Sequence, residues 1–297
     1  MTLPLLSLIG EQPIPVLLAD RALKPSHHLL AHSERTQPVA EHLHNLLPHA
    51  ELLPLPNAYD LEGLRQRLDQ AWSPGMIFNL TSGTKPMAWA GYEVARRRAA
   101  PLVYLESEKK QSILYRISFE AERLHQTSQK LPGLITLKDY LLAHGLTPVP
   151  SNILSNAQEV ALQQFLVDQV DECLHNLQYP AFEIDFLVRR GNQAAVIEAK
   201  SGLSKNGRKR FGIDQLTTVT AREYLGIYTG RIWVVAQMPG QQLQDLAKAY
   251  QIEIVLVELS EKAGRWRLNY NSQNHLAQTL DKILGVSQVN PTHREHL

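Results

Sequence analysis

The hydrophobic pattern changes period along the chain, and the changes mark the elements. An apolar run over residues 3–9 reads as a buried strand and HHLLAH, 27–32, as a second. ERTQPVAEHLHNLL, 34–47, is apolar at helical spacing, and 50–56 returns to a short strand. DLEGLRQRLDQAW predicts a helix with Asp60 at its N-cap. A strand at 75–80, a helix at 85–98 and strands at 100–107 and 111–118 follow. Alternation of this kind predicts a Rossmann-like parallel sheet with helices on both faces, which is why its strands are apolar throughout. Over 121–155 the pattern loosens. QTSQKLPG and GLTPVPSN are turn-rich and flank one short helix, capped by Thr136 and stopped by Gly145. This stretch reads as a connector between domains at 1–120 and 156–297. The second domain reads as a long helix over 156–177, a hairpin over 183–200, a helix at 213–226, a strand at 231–237, a helix at 241–250, a strand at 252–259 and a last helix near 273–285.

Composition narrows the class. A chain of 297 residues has room for two cores, and 44% hydrophobic with 20% charged residues is ordinary for a globular protein. A net charge of +1 excludes a massively basic nucleic-acid binder but leaves room for local basic patches. The single cysteine, Cys173, excludes an internal disulfide framework and fits a cytoplasmic location. The start, MTLPLLSLIGEQPIP, has no basic leader region and is broken by Pro4 and Gly10, so it reads as a strand rather than a signal peptide. No apolar stretch approaches the roughly 20 residues of a membrane helix. His42, His44 and His49 place no i,i+4 pair on one helical face and read as solvated histidines rather than zinc ligands.

The hairpin FEIDFLVRRGNQAAVIEAKSG puts charges on strands that otherwise read as buried. With Gly191-Asn192 as a two-residue turn, Arg190 faces Gln193, and counting back sets Asp185 opposite Glu198. Cβ atoms of such a pair lie about 4.5–5.5 Å apart on one face, and two like charges there repel unless a cation sits between them. Lys200 returns to the same face because the strand period is two. Two carboxylates and an ammonium therefore converge on one point. Carboxylates suit Mg²⁺ or Mn²⁺, and a neighbouring lysine suits a phosphodiester undergoing attack by water. The plain alternative is a solvent-facing hairpin with ordinary surface charges. After it, KSGLSKNGRKRF adds Lys205, Arg208, Lys209 and Arg210 with no acid, which reads either as a solvated loop or as a rim that contacts substrate phosphates.

FNLTSGTKPMAWA, residues 78–90, joins a strand to a helix. Thr81, Ser82, Gly83 and Thr84 offer backbone N–H groups and hydroxyls, Lys85 adds charge, and Pro86 suits the first turn. Such junctions bind anions. The spacing is not that of a Walker A loop, which argues against an ATPase. Gly10, Glu11 and Gln12 end the first strand at the same carboxyl edge of the sheet, where ligands of open α/β sheets bind.

Both stretches resemble known families. Residues 156–260, with Asp185, Glu198 and Lys200 in IEAKSG, resemble the PD-(D/E)XK nucleases. The resemblance implies catalysis by these three, a metal held by Asp185, Glu198 and Ala199, and accessory roles for Gln215 and for Glu159 on the preceding helix; Asp168 or Glu172 could replace Glu159. NLTSGTKPMA and LLSLIGEQPIPVLL resemble the CARF domain, with Ser82 where glycine is more usual. Together the two resemble the ancillary nucleases of type III CRISPR defence. What this implies is a cytoplasmic homodimer whose CARF pocket binds a cyclic oligoadenylate, cyclic tetra-adenylate by preference, through Gly10, Glu11, Gln12, Thr81, Ser82, Gly83, Thr84 and Lys85. The activated dimer would cut single-stranded RNA, DNA or both, and could nick duplex DNA. Two other readings stay open: an activator-independent repair or restriction nuclease, and a sensor that sequesters or degrades the cyclic ligand.

Overall fold

In the computed structural model, which describes residues 2–108, 110–120, 123–147, 156–200, 211–262 and 265–286, the chain divides into two units. One comprises Met1–Pro148 together with Arg222–Gly226, the other Val149–Ala221 and Ile227–Leu297.

The first unit runs β1 (Leu5–Leu8), α1 (Ile14–Leu23), β2 (His28–His32), α2 (Gln37–Leu46), β3 (Ala50–Pro54), α3 (Leu61–Ala71), β4 (Ile77–Asn79), α4 (Lys85–Arg97), β5 (Leu102–Glu108), β6 (Gln111–Glu120), β7 (Arg123–Lys130) and α5 (Leu137–Ala143). Its sheet has the order β3-β2-β1-β4-β5-β6-β7, parallel from β3 to β5 and antiparallel beyond. The order reverses between β1 and β4, so the loops that follow Leu8 and Asn79 meet at a topological switch point. Leu6, Leu8, Phe78, Met87, Ala90 and Val94 pack one face. As the sequence predicts, Asp60 caps α3 by accepting from the Gly63 N–H at 3.1 Å, and Thr136 caps α5.

Two elements depart from the sequence reading. The pattern marks no element at Ile14–Leu23, yet α1 forms there, with Pro15 presetting its first turn. QTSQK, read as turn-rich connector, lies in β7, which pairs with β6 from Glu120↔Arg123 to Ile113↔Lys130. Every residue of β7 is exposed, so neither face carries an apolar alternation to read.

A buried polar chain crosses the first unit. The His28 ring meets Asp20 Oδ2 at 2.9 Å through Nδ1 and Ser7 Oγ at 2.8 Å through Nε2. Asn79 Nδ2 donates to Ser7 Oγ at 3.1 Å, and the Thr81 hydroxyl donates to Asn79 Oδ1 at 2.6 Å. Ser7, Asp20, His28 and Asn79 are all buried. His49 is not simply solvated: its Nε2 lies 2.7 Å from Asp20 Oδ2, and about a third of its side chain (34%) is exposed. His44 Nδ1 lies 2.8 Å from the Ala50 carbonyl. Burial opposes the charge of Asp20, but His28 and His49 outweigh it and hold its pKa below the usual range.

The second unit runs α6 (Ala157–Leu166), β8 (Glu172–Gln178), β9 (Glu183–Arg190), β10 (Gln193–Lys200), α7 (Phe211–Val219), β11 (Gly230–Val235), α8 (Gln241–Ala249), β12 (Glu253–Leu256), β13 (Leu259–Lys262), β14 (Arg265–Leu268) and α9 (Tyr270–Leu284). Its sheet order is β12-β11-β10-β9-β8, with β10, β11 and β12 parallel and β8, β9 and β10 antiparallel. Phe186, Val188, Ile197, Ile232 and Val234 pack its core with Leu162, Leu276 and Leu280. The helix expected over 156–177 ends at Leu166, and 172–178 is strand β8, since pairing along β9 satisfies its backbone. The helix expected over 213–226 ends at Val219, and Arg222–Gly226 belongs to the other unit. Among the described residues no helix is long and apolar enough to cross a membrane.

Candidate functional site

The hairpin turn has the expected register. Gly191 takes φ +61, and Arg190 pairs with Gln193. Pairing continues to Phe186↔Ile197, where the β9–β10 register ends. The register between β8 and β9 also skips a pair there, running from His175↔Phe186 to Leu177↔Ile184 around Asn176, whose backbone is left-handed (φ 49). Asp185 thus sits where both ladders open. Its carboxylate fills the gap: Oδ2 accepts the Ala199 N–H at 2.7 Å.

Three groups converge at this opening. The Lys200 ammonium lies 3.9 Å from Asp185 Oδ2 and forms a close ion pair with Glu198 Oε1. Asp185 and Glu198 are buried, at 6% and 1% exposure. Among the described residues Glu198 Oε2 has no hydrogen-bond partner, and leaving a buried carboxylate oxygen so is costly. Burial, with the neighbouring Asp185 charge added, pushes the Glu198 pKa up to about 8 against the pull of Lys200. Burial raises that of Asp185 too. Burial opposes the charge of Lys200, but Glu198 and Asp185 outweigh it and hold its ammonium above its ordinary range. Two buried carboxylates, one with an orphaned oxygen, fit a hard divalent cation such as Mg²⁺ or Mn²⁺. Asp185 and Glu198 would hold it.

The surrounding acids separate. Glu159, buried on the first turn of α6, lies near enough to Asp185 that its charge raises the aspartate's pKa. Asn156 holds it, donating Nδ2 to Glu159 Oε1 at 2.7 Å. Asp168 is exposed beyond the end of α6, and Glu172, on β8 rather than a helix, pairs with Arg189 at 2.6 Å. Glu183, which the sequence did not single out, also raises the pKa values of Asp185, Glu198 and Lys200. Gln215 on α7 donates to the Glu183 carbonyl at 3.3 Å. Lys205, Arg208, Lys209 and Arg210 lie outside the described residues. A cavity of about 400 Å³ is lined by Asn156, Gln158, Ala236 and Val257 among others. Two of its lining residues neighbour the acids along the backbone: Gln158 precedes Glu159, and the Ala236 N–H donates to the Lys200 carbonyl at 3.4 Å.

In the first unit the two switch-point loops touch. A Cβ on Gly10 would stand 3.0 Å from the Gly83 nitrogen and 3.2 Å from Ser82 Cβ, and Gly83 itself takes φ +86. Thr81 is fixed from both sides, donating to Asn79 Oδ1 and accepting from the Leu105 N–H at 2.9 Å. Thr84 caps α4, accepting from the Met87 N–H at 3.3 Å. Lys85, the first residue of that helix, is exposed. Glu11 is flanked by two arginines, Arg35 in a close pair and Arg222 at 3.3 Å. Gln12 packs on Gly226. Neither arginine stands out in the sequence, because both reach Glu11 across the fold rather than along the chain.

No protein-family model matches the sequence, and no curated protein matches it either. Solved structures do resemble the fold. Can2 from Sulfobacillus thermosulfidooxidans, in complex with cyclic tetra-adenylate, superposes with a TM-score of 0.72 at 14% identity, covering 95% of this chain and 99% of that one. Protein VC1899 from Vibrio cholerae gives 0.70 at 11% identity, covering 95% and 99%. A type III CRISPR defence DNA nuclease activated by cyclic oligoadenylate gives 0.61 at 15% identity; the match covers 94% of this chain and 52% of that nuclease. At such identities the likeness is one of fold.

Proposed function

We propose that this chain is a metal-dependent nuclease of type III CRISPR defence, switched on by a cyclic oligoadenylate and cutting single-stranded RNA, DNA or both. The observation that carries the reading is the convergence of Asp185, Glu198 and Lys200 where the β9 ladders open, with a buried carboxylate oxygen that has no hydrogen-bond partner among the described residues. The fold likeness supports it, since one similar structure was solved with cyclic tetra-adenylate and another is a nuclease activated by cyclic oligoadenylate.

The protein's own groups divide the work. Asp185, pinned by the Ala199 N–H, and Glu198, held by burial, keep two carboxylates facing one point. A bound Mg²⁺ or Mn²⁺ would acidify a water and polarise the scissile phosphate. Lys200, charged through the working pH range, orients the attacking water and offsets the negative charge that develops on phosphorus-bound oxygen. Glu159 and Gln215 support the acids from α6 and α7, and the cavity beside Gln158 has room for a nucleotide of the bound strand. Lys205, Arg208, Lys209 and Arg210 supply phosphate contacts that position the strand without reading its bases.

On this reading the activator binds at the switch-point loops, where the N-terminus of α4, opening at Lys85, suits its phosphates. A two-fold symmetric ring suits a two-fold dimer, so the working form is a homodimer. The deciding assay offers single-stranded RNA, single-stranded DNA and supercoiled plasmid to the protein with Mg²⁺ or Mn²⁺, with and without each cyclic oligoadenylate. Cleavage without activator returns the chain to the repair or restriction class. Tight ligand binding with no cleavage makes it a sensor alone.

Two results are expected at the ligand loops. Lys85→Ala weakens activator binding by about 10- to 100-fold, the worth of a hydrogen bond to a charged group; calorimetry showing unchanged affinity would move the site elsewhere. Gly10→Ala weakens binding as well, because its methyl drives the Gly83 backbone away, whereas Ser82→Gly is tolerated. Neutralising Arg208, Lys209 and Arg210 together should flatten the salt dependence of substrate binding, since fewer counterions are released.

A further inference from the structure

We propose that Asp20, His28 and His49 form a second metal site, in the first unit, that takes a borderline transition ion of the Zn²⁺ type. Two imidazole nitrogens and a carboxylate oxygen from three separate segments lie within 4.8 Å of one another. Asp20 comes from α1, His28 opens β2 and His49 immediately precedes β3. The ligand type sets this site apart from the carboxylate pair of the hairpin: nitrogen donors select zinc-like ions, oxygen donors magnesium-like ones.

The geometry suits an open tetrahedral centre with three protein ligands. Both rings converge on one oxygen, Asp20 Oδ2, at 2.9 and 2.7 Å. Ligand atoms of a tetrahedral zinc stand about 3.3 Å apart, given bonds of about 2.0–2.2 Å. Opening each contact by about half an ångström admits the ion, and the part-exposed His49 ring has the freedom to make that move. The same exposure supplies the entry path and leaves a fourth position for water. His28 is buried and already aimed. Its Nε2 meets Ser7 Oγ, which Asn79 Nδ2 also meets. Metal-ligating histidines are oriented by such hydrogen bonds at the far nitrogen. With an ion on Nδ1, Nε2 carries the proton and donates to Ser7; without one, Nδ1–H donates to Asp20 and the Ser7 hydroxyl donates to Nε2. The chain continues through Asn79 to Thr81, so the site's outer hydrogen bonds end on the ligand loop.

Zinc titration of the full-length, EDTA-stripped protein against a chromophoric chelator tests the site, comparing wild type with Glu198→Gln, His49→Gln and Ser7→Ala. One zinc equivalent is expected that survives Glu198→Gln. His49→Gln, which keeps a hydrogen bond toward Asp20 but offers a poor ligand, should lose it by more than about 100-fold, and Ser7→Ala by about 10-fold. Co²⁺ should give the visible absorption of a tetrahedral centre in wild type and not in His49→Gln. If the Glu198→Gln protein takes up no zinc at micromolar concentration, or if His49→Gln binds it as wild type does, the three residues are a hydrogen-bonded network and the proposal falls.

Discussion

Glu198→Gln is expected to abolish metal-dependent cleavage and, at pH 8, to raise the melting temperature of the metal-free protein. Loss of a group that merely orients a ligand costs about 10- to 100-fold, so loss of the ligand itself should cost more than about 100-fold in activity. The stability gain follows from the displaced pKa. Glu198 titrates near 8 in the folded, metal-free chain, against 4.5 for an ordinary glutamate, because burial and then Asp185 disfavour its charge. A raised folded pKa means that the folded state holds the proton more tightly. The contribution is therefore complete below about pH 4.5 and is lost as pH rises to about 8, at up to about 1.4 kcal/mol per pH unit. Lys200, whose pKa is held above its ordinary value, keeps its charge throughout this window. Between pH 5 and 8 metal-free wild type should lose melting temperature relative to the glutamine variant, the gap widening toward pH 8. Mn²⁺ binding to wild type should release a proton below pH 8. A gap between the two curves that does not change with pH would show that Glu198 is charged and well compensated without metal.

Lys200→Ala should separate binding from turnover. It keeps both carboxylates, so Mn²⁺ still binds at pH 8.5, while cleavage falls by about 100-fold or more because the attacking water and the developing charge lose their partner. The metal-free variant should be less stable than wild type at that pH, since Asp185 and Glu198 then face each other without the ammonium. Calorimetry, melting and cleavage on one preparation distinguish this from general damage. Metal affinity lost in step with activity would make Lys200 a support for the carboxylates alone.

The hairpin was legible because everything that sets it is local. A Gly-Asn turn and strict alternation fix the register, and register alone brings Asp185, Glu198 and Lys200 to one place. The opening of the ladders at Asp185 was not legible, because it depends on the left-handed backbone of Asn176, a strand away. Strand β8 was misread for a definable reason. Val170, Cys173, Leu174 and Leu177 recur at helical spacing, and only pairing with β9 draws the segment out into a strand. In the first unit the parallel order followed from the alternation of elements, but the polar chain through Ser7, Asp20, His28 and His49 did not. Each member is an unremarkable residue on its own element, and topology alone brings them together.

The excursion of Arg222–Gly226 into the first unit bears on how this protein can be taken apart. The chain leaves the second unit after α7, lends five residues that place Arg222 against Glu11 and Gly226 against Gln12, and returns at Ile227 ahead of β11. A fragment cut at Pro148 would carry the switch-point loops but strip that flank from them, exposing the Glu11 carboxylate with Arg35 as its remaining cation. Grafting the first unit onto another domain therefore needs three junctions, after Pro148 and on either side of Arg222–Gly226, and a chimera spliced at the first alone would lack the segment that meets Glu11 and Gln12.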